Sequence, residues 1–215
     1  MLNKIKLVMK HFLFLRHGPV AEEYQKIFYG QLDIPLSEEG KRKSLQVVNE
    51  LANYSIKAVF SSPLQRALFP AKILAEKKRI PLIVKEELKE INYGVWTGRL
   101  REEVYKEPLF WKRLRIDNLS PHKGESIKEL RARAKKFWED LADLEEGLYS
   151  IFTHGGFIRA LLCELLTIET RFFLTFEVYH LKGVLVSLSE KREYFIRGIN
   201  LDPDQIEELI ESSYW

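Results

Sequence analysis

Short apolar runs recur along the chain at residues 12–16, 58–61, 82–85, 149–153, 184–188 and 194–197. They are mostly apolar and do not alternate, which predicts β-strands covered on both faces. Helical periodicity fills the intervals. Ser37 reads as an N-cap, with Glu38 and Glu39 in the first turn and apolar residues at Leu45, Val48, Leu51 and Ala52. Residues 64–78 are helical in period, with a kink expected at Pro70. Residues 125–144 form the longest amphipathic pattern, through Ile127, Leu130, Ala134, Phe137, Leu141 and Leu144. Residues 157–166 are almost wholly apolar and predict a buried helix.

Strands alternating with helices predict an α/β fold: a three-layer sandwich with a largely parallel central sheet flanked by helices. The two last strand runs are separated by Ser189-Glu190-Lys191-Arg192, which predicts an antiparallel hairpin at one edge. Residues 99–123 are polar and irregular, with Pro108, Trp111 and Pro121, and read as a small cap over a site. Residues 202–215 predict a short terminal helix. The 215 residues suit one domain, with 99–123 as an insert, and no internal repeat is visible.

Charge narrows the function classes. The net charge of +3 provides no global field for nucleic acid. The basic runs Lys41-Arg42-Lys43, Lys77-Lys78-Arg79 and Lys135-Lys136 read as solvated helix faces. No segment is long and apolar enough to suggest a membrane span. The single cysteine, Cys163, excludes an internal disulfide and lies among leucines, as a buried structural thiol would. Met1 to Leu15 has lysines followed by apolar residues. Lys10 and His11 interrupt it and no small-residue cleavage site follows, so the chain reads as cytoplasmic.

In parallel α/β sheets, ligands gather at the carboxyl ends of the strands. Four runs end in polar groups there: Arg16-His17, Ser61-Ser62 with Arg66 beyond, Leu88-Lys89-Glu90, and His154-Gly155-Gly156. A neutral imidazole can attack phosphorus and become a phosphohistidine. The phosphoryl oxygens then need fixed donors, and the planar guanidiniums of Arg16 and Arg66 match them. His154 can donate a further hydrogen bond or carry charge. Gly155-Gly156 lets backbone N–H groups approach a phosphate at a helix start. A carboxylate must protonate the leaving alkoxide and later deprotonate water. Spacing alone does not choose among the carboxylates of residues 86–90. Such chemistry requires no metal. The remaining histidines, His11, His122 and His180, show no ligand spacing, and no phosphate-loop or dinucleotide fingerprint is present.

These residues together resemble the histidine phosphatase superfamily, also called phosphoglycerate mutase-like. The resemblance rests on Leu15-Arg16-His17-Gly18, on residues 30–40, on Ser61-Ser62-Pro63-Leu64-Gln65-Arg66-Ala67, on Leu88-Lys89-Glu90 with Gly94, Trp96 and Gly98, on Gly124-Glu125-Ser126 with Arg131 or Arg133, and on Thr153-His154-Gly155-Gly156 through Arg159. It implies His17 as the phosphorylated nucleophile and Glu90 as proton donor and acceptor. It implies Arg16, Arg66, His154 and Gly155 as phosphate-binding groups around His17. No cofactor and no metal are implied for the phosphatase branch, and the partner is a small phosphate ester. A short middle region and Tyr93-Gly94-Val95-Trp96 are similar to the α-ribazole phosphatases. Phosphoglycerate mutase and a non-catalytic phospho-ligand module are the competing readings, and a homodimer is one option for assembly. Pro19 and Val20 replace a common acidic residue and threonine, Glu23 a phosphate-holding asparagine, and Thr97 a frequent glutamate.

Overall fold

A computed structural model describes residues 9–211. Among them, six strands form one sheet: β1 (Met9–Arg16), β2 (Ile56–Ser61), β3 (Leu82–Val84), β4 (Gly147–Thr153), β5 (Gly183–Ser189) and β6 (Tyr194–Leu201). Their order is β3-β2-β4-β1-β5-β6. The pairs β1–β4, β2–β4 and β2–β3 are parallel, whereas β5 runs antiparallel to both β1 and β6. The expected largely parallel sheet is therefore present. The expected hairpin is β5–β6, with β6 as the edge strand.

Alternation along β1 shows why the run looked uniformly apolar. Phe12 and Phe14 join one core, while Leu13 and Leu15 join the other. The first core is closed by α5 (Ile127–Leu141) and α6 (Gly155–Leu165). The second is closed by α1 (Glu38–Leu51), α2 (Gln65–Lys78) and α7 (Ile206–Glu211). The four inner strands are covered by helices on both faces, whereas β3 and β6, at the sheet edges, are only partly covered, which corrects the expectation of two-faced burial for those two runs. Full burial of each such side chain is worth roughly 1.5–3 kcal/mol.

Helix boundaries follow local chemistry. The Ser37 hydroxyl accepts the Gly40 N–H at 2.9 Å and caps α1. Helix α2 continues through Pro70, which removes only the backbone donor that would serve the Arg66 carbonyl. Helix α5 ends at Leu141, short of its apolar pattern, and a capping box starts it after Ser126: the Ser126 hydroxyl accepts the Glu129 N–H, and the Glu129 carboxylate accepts the Ser126 N–H. Helix α6 starts two residues before the apolar pattern, directly after His154. The terminal segment is a 3-10 turn, Pro203–Gln205, followed by α7. The remainder of the terminal helix expected over 202–215 lies outside the described residues.

Residues 99–123 contain no strand. Two short helices, α3 (Arg101–Val104) and α4 (Pro108–Lys112), bury Val104 and Phe110 against Phe28 and Trp96 in a small separate cluster. Trp111, one of the residues that marked this segment, is half exposed.

Breaking the α5 capping box gives a direct test of this local reading. Ser126→Ala is expected to lower unfolding free energy by about 1 kcal/mol in urea denaturation. No change in the urea midpoint would show that the cap contributes nothing.

Candidate active site

The sheet order brings the two histidines together. In the parallel β1–β4 pair, Arg16 is level with Thr153. The next residues, His17 and His154, therefore stand side by side, with ring centroids 5.2 Å apart. The His17 N–H donates to the Thr153 carbonyl at 3.0 Å, and the Ser62 N–H to the Phe152 carbonyl at 3.0 Å. The β2 junction thus lies on the other flank of β4. There the Ser62 hydroxyl is 2.8 Å from His154 Nε2.

Both arginines are held by carbonyls while one edge stays unused. Arg66 is fully buried and donates to the Gly30 and Leu32 carbonyls at 2.6 and 2.7 Å. It lies over the Tyr29 ring at 5.0 Å. Arg16 donates to the Val178 carbonyl at 2.6 Å. The Nε atoms of both, His17 Nε2 and His154 Nδ1 are buried and have no hydrogen-bond partner in the protein.

The His17 tautomer follows from its neighbours. Nδ1 lies 2.7 Å from the Gly18 carbonyl, which can only accept, so Nδ1 carries the proton. Nε2 is left with its lone pair. Burial, followed by His154, Arg66, Arg16 and His180, holds the His17 pKa well below 6.5. Burial and the charges of Arg66, Arg133 and Arg16 do the same for His154. Of the two roles open to His154, the neutral hydrogen-bonding one suits this environment.

Glu90 reaches the same rim from the segment after β3. Its Oε1 accepts the Ile91 N–H at 2.9 Å and its Oε2 the Gly156 N–H at 3.2 Å. A Cβ on Gly156 would stand 2.1 Å from Oε1, so only glycine admits this carboxylate. The expectation that both glycine N–H groups face a phosphate is corrected here: the N–H of Gly156 is engaged by Glu90. Gly155 instead permits close approach of Arg16, whose Nε would be 3.3 Å from a Cβ there.

A clamp holds the Glu90 backbone. Arg133 donates to the carbonyls of Glu87, Lys89 and Glu90 and pairs with Glu125. Gln31 adds a bond to the Glu90 carbonyl at 2.9 Å. The open choice between Arg131 and Arg133 resolves to Arg133, since Arg131 pairs with Glu164.

All six predicted residues, Arg16, His17, Arg66, Glu90, His154 and Gly155, thus meet at one rim. Sequence reasoning missed His180. Its ring centroid is 5.2 Å from that of His17 and its Nδ1 lies 2.8 Å from the His17 carbonyl. No spacing signal links residues so far apart in the chain. The substituted positions after Gly18 have local structural partners. Val20 is buried with Tyr29 and Ile34, and the Pro19 carbonyl accepts the Ser37 N–H. Glu23 is exposed on the turn Glu22–Tyr24.

The paired imidazoles, two arginines and a tethered carboxylate can accept and release a phosphoryl group. A family model of the histidine phosphatase superfamily (branch 1) matches residues 12–202. The chain belongs to that superfamily. It is 28% identical over 200 residues to phosphoserine phosphatase 1 of Hydrogenobacter thermophilus, covering 90% of this chain and 91% of that protein. It is 29% identical over 152 residues to the probable phosphoglycerate mutase GpmB of Escherichia coli, covering 69% and 70%. A mycobacterial glucosyl-3-phosphoglycerate phosphatase superposes with a TM-score of 0.79 at 22% identity, covering 89% of this chain and 99% of its own. The α-ribazole phosphatase of Shigella flexneri gives 0.77 at 19%, covering 89% and 96%. These two superpositions establish the shared histidine phosphatase fold. Family and relatives together support a phosphatase. Among the described residues, no helix is long and apolar enough to cross a membrane, and no group of three or more His, Cys, Asp or Glu side chains could hold a metal ion.

Three buried histidines and the half-buried His180 make stability depend on pH. Burial lowers His11 and His180 to about 4, and His17 and His154 well below 6.5. Unfolding returns each to near 6.5, so the unfolded chain binds more protons in mildly acidic solution. Unfolding free energy should fall as pH drops below about 6.5, by up to ~1.4 kcal/mol per pH unit for each histidine, and for His11 and His180 this ends near their folded values. Urea titrations from about pH 7.5 to 5 should report an uptake on unfolding that approaches these four protons. PH-independent stability across that window would contradict the burial of neutral imidazoles.

Proposed function

We propose that the protein is a metal-independent phosphomonoesterase that acts through a phosphohistidine at His17 on a small phosphorylated metabolite. The observation that carries this reading is the unpartnered His17 Nε2, buried beside the unpartnered Nε atoms of Arg16 and Arg66. A lone pair ringed by cationic donors suits attack on a phosphoryl group and little else.

The first step forms a bond between Nε2 and phosphorus as the ester P–O bond breaks. The Gly18 carbonyl holds the Nδ1 proton, so the attacking nitrogen need not lose one. Arg16, Arg66 and His154 donate to the phosphoryl oxygens, where charge is concentrated. Glu90, in its acid form, passes its proton to the leaving alkoxide. In the second step Glu90, now a carboxylate, takes a proton from water. The resulting hydroxide bonds to phosphorus, the P–N bond breaks, and inorganic phosphate leaves with His17 neutral again. The identity of the leaving alcohol is the finer question. Phosphoserine and α-ribazole 5′-phosphate are the first substrates to test. The former is named by the relative matched over 90% of this chain, the latter by the resemblance of Tyr93-Gly94-Val95-Trp96.

Hydrolysis of an aryl phosphate should persist in chelator, and His17→Ala should lower kcat by about 10³-fold or more, as expected when a covalent nucleophile is removed. Equal turnover by the two proteins would reject the phosphohistidine. With 3-phosphoglycerate, release of phosphate without the 2-isomer is expected, and efficient isomerisation would favour a mutase.

Gly156→Ala tests Glu90 separately. The added methyl displaces the carboxylate, so kcat for alkyl phosphates should fall by about 10²-fold or more, in line with loss of a general acid. Aryl phosphates, with better leaving groups, should lose less in phosphoenzyme formation. Equal losses for both substrate types would argue against the acid role.

A further inference from the structure

Beyond the histidines of the superfamily motifs, His180 closes over the nucleophile, and the backbone around it is built to hold it there. The β1–β5 ladder ends at Leu15 opposite Gly183. Past that point the Leu181 N–H still donates to the Arg16 carbonyl at 3.0 Å. The next carbonyl, that of His17, receives no backbone donor, and the imidazole of His180 takes that place at 2.8 Å. A carbonyl cannot donate, so Nδ1 of His180 carries the proton.

Leu181 adopts φ +63, in the left-handed region. That conformation costs a leucine free energy and persists only where its surroundings impose it. Here it turns the chain directly after His180, between that residue and the start of β5. The approach to His180 is tied down as well. Asn200 accepts the Tyr179 N–H at 2.8 Å and donates to the Glu177 carbonyl at 2.7 Å, and Arg16 donates to the Val178 carbonyl. On the other side of the nucleophile, Gly18 is confined: a Cβ there would stand 2.9 Å from Ser44 Oγ and 3.0 Å from the Gly40 carbonyl.

We propose that His180 is a positioning residue for His17, fixing the His17–Gly18 peptide so that the Gly18 carbonyl keeps the proton on Nδ1 and the lone pair on Nε2. The peptide is gripped at the His17 carbonyl by His180 and packed at Gly18 against α1. With that peptide fixed, the Gly18 Cα is fixed, and the carbonyl that follows it, in the Gly18–Pro19 peptide, is held 2.7 Å from Nδ1. Freed from His180, the His17–Gly18 peptide can rotate and shift the Gly18 Cα, the carbonyl of the next peptide leaves Nδ1, and the proton distributes between the two ring nitrogens. A nucleophile protonated at Nε2 cannot attack. The proposal rests on the phosphohistidine reading for its consequence in turnover, but not for its consequence in the imidazole itself.

The test therefore has two readouts on wild type, His180→Ala and His180→Asn. The Asn amide nitrogen stands close to where Nδ1 of histidine stands and can donate to the same carbonyl. By nitrogen-15 NMR at neutral pH, His17 should be a single Nδ1–H tautomer in wild type and His180→Asn and a mixture in His180→Ala. Rapid quench with an aryl phosphate should show phosphoenzyme formation slowed about 10- to 100-fold in His180→Ala, and restored to within about threefold in His180→Asn, as for a misplaced reacting group. KM should change little. An unmixed His17 tautomer in His180→Ala overturns the proposal, as does equal disturbance in both variants. An effect confined to KM would make His180 a substrate contact instead. Absence of phosphoenzyme in wild type would defeat the proposed function, while the tautomer measurement would still decide the role of His180.

Discussion

The parallel pairing of β1 with β4 is the constraint on which the site depends. Its register sets Arg16 level with Thr153, so that each strand delivers its next residue, a histidine, to the same rim. Adjacency in the sheet, rather than any local feature of either His-Gly turn, places the rings 5.2 Å apart. A slip of one residue would turn one imidazole to the opposite face of the sheet, because strand side chains alternate. The two apolar cores prevent that slip, since Phe12 and Phe14 would exchange places with Leu13 and Leu15 between packed layers.

Around that pair, each charged group is held by carbonyls that leave one polar edge free. Arg66 is anchored by the loop carrying Gly30 and Leu32, and Arg16 by Val178. Burial and mutual proximity of cations keep both histidines neutral. A neutral nucleophile beside permanent guanidinium charge is an uncomfortable arrangement without an anion and a favourable one with it. The tight approach of Glu90 to Gly156 supplies a carboxylate without letting it neutralise the arginines by direct pairing.

The sequence made six residues of the site legible because each sits immediately past an apolar run or in a motif of fixed local order. Glu90 was not separable from its acidic neighbours by spacing, and only family resemblance selected it. In three dimensions the selection is made by Arg133, which grips the carbonyls of Glu87, Lys89 and Glu90, and by Gly156. The α5 boundary was misplaced because apolar periodicity outruns the helix, whereas the Ser126–Glu129 box sets its start. Glu23, which stands in place of a phosphate-holding asparagine, is exposed on a surface turn.

By itself, the sequence determined the strand and helix alternation, the two-faced burial of the inner strands and the chemical class of the site. These depend on periodicity and on residue type, which are local. Only the tertiary structure decided which strands are neighbours, which arginine clamps Glu90, and that His180 lies against His17. Those contacts join residues as far apart as 163 positions in the chain. No local pattern encodes them, because they arise from sheet order and from a left-handed turn at Leu181 that the packed surroundings impose.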